Sequence, residues 1–177
     1  LIRDDYCDGL GNCLPQCPAG AITFVEREAA EYDESAVKEN KARIAAAEAD
    51  ARESQLGNWP VQLKLLPPVS PVFRGADILI AADCTAYAFA GFHERFIAGR
   101  TVIIACPKLD ATDYSEKLQQ IFMLNNIKSI VVTRMQVPCC GGLVRMVQAA
   151  MERSGKAIPC EVYTISNSGQ ILNKETI

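Results

Sequence analysis

The sequence predicts an α/β protein, a three-layer sandwich on a mainly parallel sheet, and three observations carry that prediction. Short, continuously apolar runs recur between residues 76 and 165, and strands apolar on both faces belong to sheets covered on both sides. Between those runs lie stretches whose apolar residues fall at helical spacing. Right-handed crossovers through such helices then make the sheet parallel and place helices above and below it. Two segments of different composition precede the sandwich. They are a cysteine-rich loop at 1–25 and an alanine- and charge-rich linker at 26–57.

The elements follow in order. The linker "EREAAEYDESAVKENKARIAAAEADARESQLG" has almost no large apolar residue, so it reads as a solvated helix or a loose connector. Asp33 or Ser35 would cap it and Gly57 would stop it. The third region spans 58–177, and its opening "WPVQLKLLPPVSPVF" alternates briefly before prolines break it. That pattern predicts an edge strand or an ordered wrap, with Trp59 as a packing anchor. "ADILIAADC" (76–84) is the first buried strand, with a helical stretch near 87–98. "TVIIAC" (101–106) is the second, followed by the helix "DYSEKLQQIFMLNN". "SIVVTRM" (129–135) is the third, before the amphipathic "GGLVRMVQAAMERSG" ending at Gly155. "CEVYTI" (160–165) is the fourth, and "SNSG" turns the chain into a short last strand, "QIL".

A formal charge of −3 leaves no basic footprint, which argues against nucleic acid or an anionic membrane as partner. No run approaches the roughly 18 apolar residues of a membrane span. "LIRDDYCDG" has no apolar core of a signal peptide. The chain opens on Leu1, almost on top of a cysteine motif, so an upstream segment is expected to belong with it. Eight cysteines grouped in sites, in a chain with a real core, fit metal-bound thiolates in a reducing cytoplasm better than a disulfide scaffold.

Placed on the expected sheet, Cys84, Cys106 and the pair Cys139–Cys140 all fall at the carboxyl ends of parallel strands, the edge where open α/β sheets put their sites. "VPCCGG" sets the pair just before a helix, whose free N–H groups lower a thiol pKa. Gly141 and Gly142 would give close backbone approach and room for inorganic sulfide. Cys160 begins the fourth strand, at the opposite edge, and is read as structural. His93, the one histidine, is the only nitrogen ligand on offer, with a surface or capping role as its simpler reading.

The opening "YCDGLGNCLPQCPAGAI" (6–22) resembles the second half of a two-cluster bacterial ferredoxin, whose pattern is C-x2-C-x2-C-x3-C-P. Cys7, Cys13, Cys17 and Pro18 match its first, third and fourth cysteines and its proline; Leu10 departs at the second. The resemblance implies that Cys17 serves a cluster held mainly by an upstream motif, and that Cys7 and Cys13 need a further ligand. The whole chain, through "YCDGLGNC", "SQLGNWPVQL", "IACPKLD" and "VPCCGG", is similar to anaerobe proteins with a ferredoxin module, a linker and an α/β domain. A weaker likeness is to the cysteine-rich domain of heterodisulfide reductase. That domain has two adjacent cysteines and a glycine some thirty residues after an earlier cysteine, as Cys106, Cys139, Cys140 and Gly141 do here. Its later C-x2-C is absent. The small iron–sulfur subunit of methyl-viologen-reducing hydrogenase also sets cysteines after successive strands.

The expectation is an iron–sulfur protein passing electrons between partners. Its clusters would be of 4Fe–4S type, with 2Fe–2S left open and zinc as the alternative metal. The metal ligands would be Cys7, Cys13, Cys17, Cys84, Cys106, Cys139 and Cys140, with Gly141 and Gly142 lining the cofactor. The partner would be a redox protein or an upstream ferredoxin half, and a homo-oligomer stays open. Two other readings stand beside it: a thiol- or cluster-based reductase of a disulfide or sulfur compound, and a structural or regulatory metal-binding domain.

Overall fold

The computed structural model describes residues 33–49 and 53–177. The chain divides into two compact units, 1–53 and 54–177. Cys7, Leu10, Cys13 and Cys17 lie outside the described residues.

In the first unit the described element is helix α1 (Glu34–Ala49). Asp33 caps it as expected: its Oδ1 accepts the Ala36 N–H at 2.9 Å, satisfying one of the four N–H groups that a helix start leaves unpaired. Glu34 and Lys38 form an exposed pair one turn apart at 2.7 Å. Residues 53–58 are not helical, so Gly57 is not the helix stop.

The second unit is built on a five-stranded sheet. Its strands are β1 (Ala76–Ala82), β2 (Thr101–Ala105), β3 (Ile127–Met135), β4 (Cys160–Ile165) and β5 (Ile171–Thr176), in the order β2-β1-β3-β4-β5. All pairings are parallel except β4 with β5. Ile78, Leu79 and Ile80 of β1 are fully buried, as are Val132 of β3 and Val162 of β4, which is why these strands read as unbroken apolar runs. Helices α4 (Ser115–Leu124) and α5 (Gly141–Ser154) pack on each other. Both carry right-handed crossovers running the same way across the sheet, which places them on one face. The β1–β2 connection runs the other way and covers the opposite face.

That connection differs from the helix expected near 87–98. It is a short helix α2 (Thr85–Ala88) and, after a break, a π-helical turn at His93–Ile97. The break falls at Phe89, whose backbone is extended (φ −101°, ψ 109°). Phe89 and Phe92 both stack on Phe96, at 5.4 and 5.2 Å, and Phe96 stacks edge-on against Tyr163 of β4 at 5.2 Å. Aromatic packing on the sheet, rather than helical hydrogen bonding, sets the path of this segment.

Residues 58–73 form the wrap, not a strand. A single bridge joins Gln62 to Ile104, and short 3-10 turns at Leu63–Leu65 and Pro71–Phe73 bury Leu63, Leu66 and Phe73. Asn58 finishes the sheet edge. Its side-chain oxygen accepts the Val102 N–H at 2.7 Å and its amide donates to the Val102 carbonyl at 3.0 Å, standing in for a neighbouring strand. Trp59, expected to be a packing anchor, is 81% exposed; the wrap buries Leu63, Leu66 and Phe73 instead. β5 is longer than the "QIL" expected, exposed along its whole length, and clasped to β4 by a Lys174–Glu161 ion pair at 2.8 Å. No helix among the described residues is long and apolar enough to cross a membrane.

Candidate functional site

The chain goes from β1 to β2 on one side, then back across β1 to β3 on the other. The crevice beyond the carboxyl ends of β1 and β3 is therefore the topological switch point, where doubly wound sheets bind their ligands. Cys84 stands two residues past β1, Cys139 and Cys140 follow β3, and Cys106 directly follows β2, the other neighbour of β1. The expected gathering of these four residues on one edge is what the topology produces.

Each is positioned by its own local structure. The turn carrying Cys84 is fastened by the next residue. The Thr85 hydroxyl donates to the Ala82 carbonyl at 2.7 Å and lies 3.0 Å from the hydroxyl of Thr133 on β3. Thr85 has one proton and spends it on Ala82, so Thr133 is the donor between the two. Both threonines are fully buried, while Cys84 is exposed. Cys106 begins helix α3 (Pro107–Asp110), with proline at its first position. Its N–H donates to Asp110 Oδ2 at 3.2 Å, and the Asp110 N–H returns to the Cys106 carbonyl at 2.8 Å. The buried Tyr114 hydroxyl donates to that same Oδ2 at 2.7 Å. Cys139 and Cys140 lie in a 3-10 turn (Pro138–Cys140) that runs into α5; Cys139 is exposed and Cys140 buried.

The electrostatics link these groups across the strand ends. Burial pushes the Cys140 thiol up, a backbone hydrogen bond at Met135 opposes this, and the neighbouring Cys139 and Cys84 push it further up. The expectation that the helix start lowers the thiol pKa is thus reversed at Cys140, because desolvation outweighs the dipole there. Asp83 is raised by burial and by Asp110 nearby, and its Oδ1 is buried without a hydrogen-bond partner. Tyr114 is raised by burial, then by Asp110, with Asp83 and Cys106 contributing.

The room expected at Gly141 and Gly142 is bounded closely by cationic side chains. A Cβ on Gly141 would lie 3.4 Å from the Arg145 guanidinium and 4.0 Å from that of Arg134, and one on Gly142 3.9 Å from Arg145. His93 takes the capping role: its Nδ1 accepts the Gln55 N–H at 3.1 Å. Cys160 is fully buried at the amino end of β4, on the far edge. Among the described residues no three His, Cys, Asp or Glu side chains are drawn around one point as a metal-ion site.

Sequence reasoning passed over Asp83, Thr85, Asp110, Tyr114, Arg134 and Arg145. An aspartate four residues after a cysteine-proline step was a readable capping signal. The buried threonine pair had none, since Thr85 and Thr133 meet only because β1 and β3 are neighbours; nothing in the sequence marked Arg134 or Arg145 for this edge.

The Rossmann-like domain family matches residues 70–177. The chain belongs to this family. The Rossmann-like region contains Cys84, Cys106, Cys139 and Cys140; Cys7, Cys13 and Cys17 precede it. An uncharacterized protein of Archaeoglobus fulgidus (strain ATCC 49558 / DSM 4304 / JCM 9628 / NBRC 100126 / VC-16) is 36% identical over 118 residues, which is 66% of this chain and 83% of that protein. No solved structure matches the chain.

Proposed function

We propose that this protein is an iron–sulfur electron-transfer protein of the cytoplasm, with a cluster held at the switch-point edge of the Rossmann-like domain. The observation that carries this reading is the placement of Cys84, Cys106 and Cys139–Cys140 after three adjacent parallel strands. The donor chemistry fits the group. A lone zinc ion needs its sulfurs about 2.3 Å from a single point, whereas cluster ligands stand on separate irons. Thiols on separate strand ends meet the second requirement more readily.

When bound, the cluster would supply one-electron chemistry at a potential set by ligand type, hydrogen bonds and burial. The chain's own residues would do the rest. Cys84 and Cys139 are exposed and Cys106 half-buried, which leaves an edge open to a redox partner. Arg134 and Arg145 beside Gly141 would offset the negative charge that thiolates bring. The Thr85–Thr133 and Asp110–Tyr114 bonds would hold the loops still. Cys7, Cys13 and Cys17 would contribute to a second centre completed by ligands from elsewhere.

The test is iron and sulfide content with EPR on anaerobically purified chain. Iron with matching acid-labile sulfide is expected, and Cys106→Ser should remove most of the part bound at the sheet edge. A colourless protein without iron or sulfide would rule the proposal out.

One observation favours a second reading. Cys140 shares a side-chain hydrogen bond with Cys139 and feels Cys84 electrostatically. These thiols could reduce a disulfide substrate. The exposed Cys139 thiolate would attack one sulfur and release the other half as thiolate. Cys84 would then displace the bound half as a second thiolate, leaving a Cys84–Cys139 disulfide, with the two electrons it gave up carried away on the two released thiolates. Stoichiometric turnover of a dithiol to a disulfide in metal-free protein would select this reading.

A further inference from the structure

We infer that a second site lies at the opposite end of the sheet, a cationic cleft that binds a small phosphate-bearing ligand. It is separate from the cysteine edge and independent of the cluster proposal. The cleft encloses about 410 Å³ at the amino ends of β1, β2 and β3, within the usual range of small-ligand sites of ~300–1,000 Å³. Its charged lining consists of Arg74, Arg100 and Lys128 against a single carboxylate, Asp77. Asp77 is engaged by the Ser129 hydroxyl at 2.6 Å. Among the described residues neither Arg74 nor Lys128 is ion-paired, and both are exposed. Arg100 is half-buried and held at one corner, its Nη1 donating to the Phe96 carbonyl at 3.0 Å.

Three cations at the starts of three neighbouring strands, Arg74 just before β1, Arg100 just before β2 and Lys128 near the start of β3, focus a positive potential on one concavity. Guanidinium forks match phosphate oxygens in pairs, and an ammonium supplies a point charge beside them. The floor is built for close approach. Gly57 and Gly99 both line the cleft, and a side chain added at either would meet nothing within 4 Å. The wall is also fixed before any ligand arrives. Gly75, at φ +64°, donates its N–H to the Asn126 carbonyl at 2.8 Å, and the Thr101 hydroxyl donates to the Val72 carbonyl at 2.6 Å. A preformed cleft spends little binding free energy on ordering.

The experiment is calorimetric titration of the full chain with inorganic pyrophosphate at low ionic strength. Saturable one-site binding is expected, weakened at least about tenfold in the Arg74→Ala/Lys128→Ala double variant, because each lost cation removes a charge-assisted contact. Both residues are exposed, so the variant should melt as the parent does. Arg153→Ala, on the exposed end of α5, should bind as the parent does. A nucleoside diphosphate titrated alongside separates the sources: tighter binding than pyrophosphate means that an organic moiety is also held, and equal binding means that phosphate alone is read. No saturable binding, or a double variant that binds as tightly as the parent, would overturn the inference.

Discussion

Among single residues, the cysteines divide by burial rather than by spacing. Cys84 and Cys139 are exposed while Cys160 is fully enclosed. Burial, with neighbouring Glu161 adding to it, pushes the Cys160 thiol up to about 12. Folded protein stripped of metal should therefore lose the two exposed thiols to an alkylating reagent near pH 8 and keep Cys160 until it unfolds, since only thiolate reacts. The sign of the linkage follows from the same shift. The unfolded thiol ionises near about 8.5, so the neutral, buried form contributes its full stability below that value. That contribution declines above it and is gone once pH has risen through about 12. Denaturant midpoints of the parent should fall more steeply over this alkaline window than those of Cys160→Ala. That variant should keep its iron and lose about 1–2 kcal/mol for the small cavity. Parallel pH profiles, or lost iron, would count against a purely structural Cys160.

Among the elements, edges and turns carry as much of the design as the helices do. Asn58 completes the β2 edge by pairing with both backbone groups of Val102. Asn58→Ala should cost about 1–3 kcal/mol, because it leaves a buried N–H and carbonyl without partners. The β4–β5 turn depends on Gly169, which sits at φ +78° with the Ala88 carbonyl oxygen where a Cβ would be. Alanine there would have to push β5 or α2 aside, and both effects destabilise. We expect a loss of more than about 2 kcal/mol in Gly169→Ala, read by thermal or urea melting. A near-neutral result would show that the turn can move away from α2 freely.

For the whole molecule, the question is whether the amino-terminal cysteines act alone. In the ferredoxin pattern three ligands of one motif serve one cubane and the fourth serves another. With Leu10 in place of a cysteine, Cys7, Cys13 and Cys17 cannot complete a cubane between them. A 1–57 fragment reconstituted anaerobically should therefore not take up a stoichiometric four-iron cluster. An EPR-active four-iron centre in that fragment would mean an unrecognised ligand.

What the sequence determined by itself is the α/β class, the four buried strands and the cysteines at their carboxyl ends. A strand buried on both faces must be apolar throughout, and a parallel sheet must alternate with helices, so both facts are written locally. The position of Cys160 at the opposite edge was legible for the same reason, since strand direction fixes which edge it occupies. The strand order β2-β1-β3-β4-β5 was decided only in three dimensions, and with it the switch point that brings Cys84 beside Cys140. So were the aromatic packing that broke the expected helix at Phe89, the exposure of Trp59, and the meeting of Thr85 with Thr133. These pairings join residues that are distant in sequence and depend on which strands are neighbours. Local periodicity holds no record of that, because the same apolar runs could pair in several orders until packing selects one.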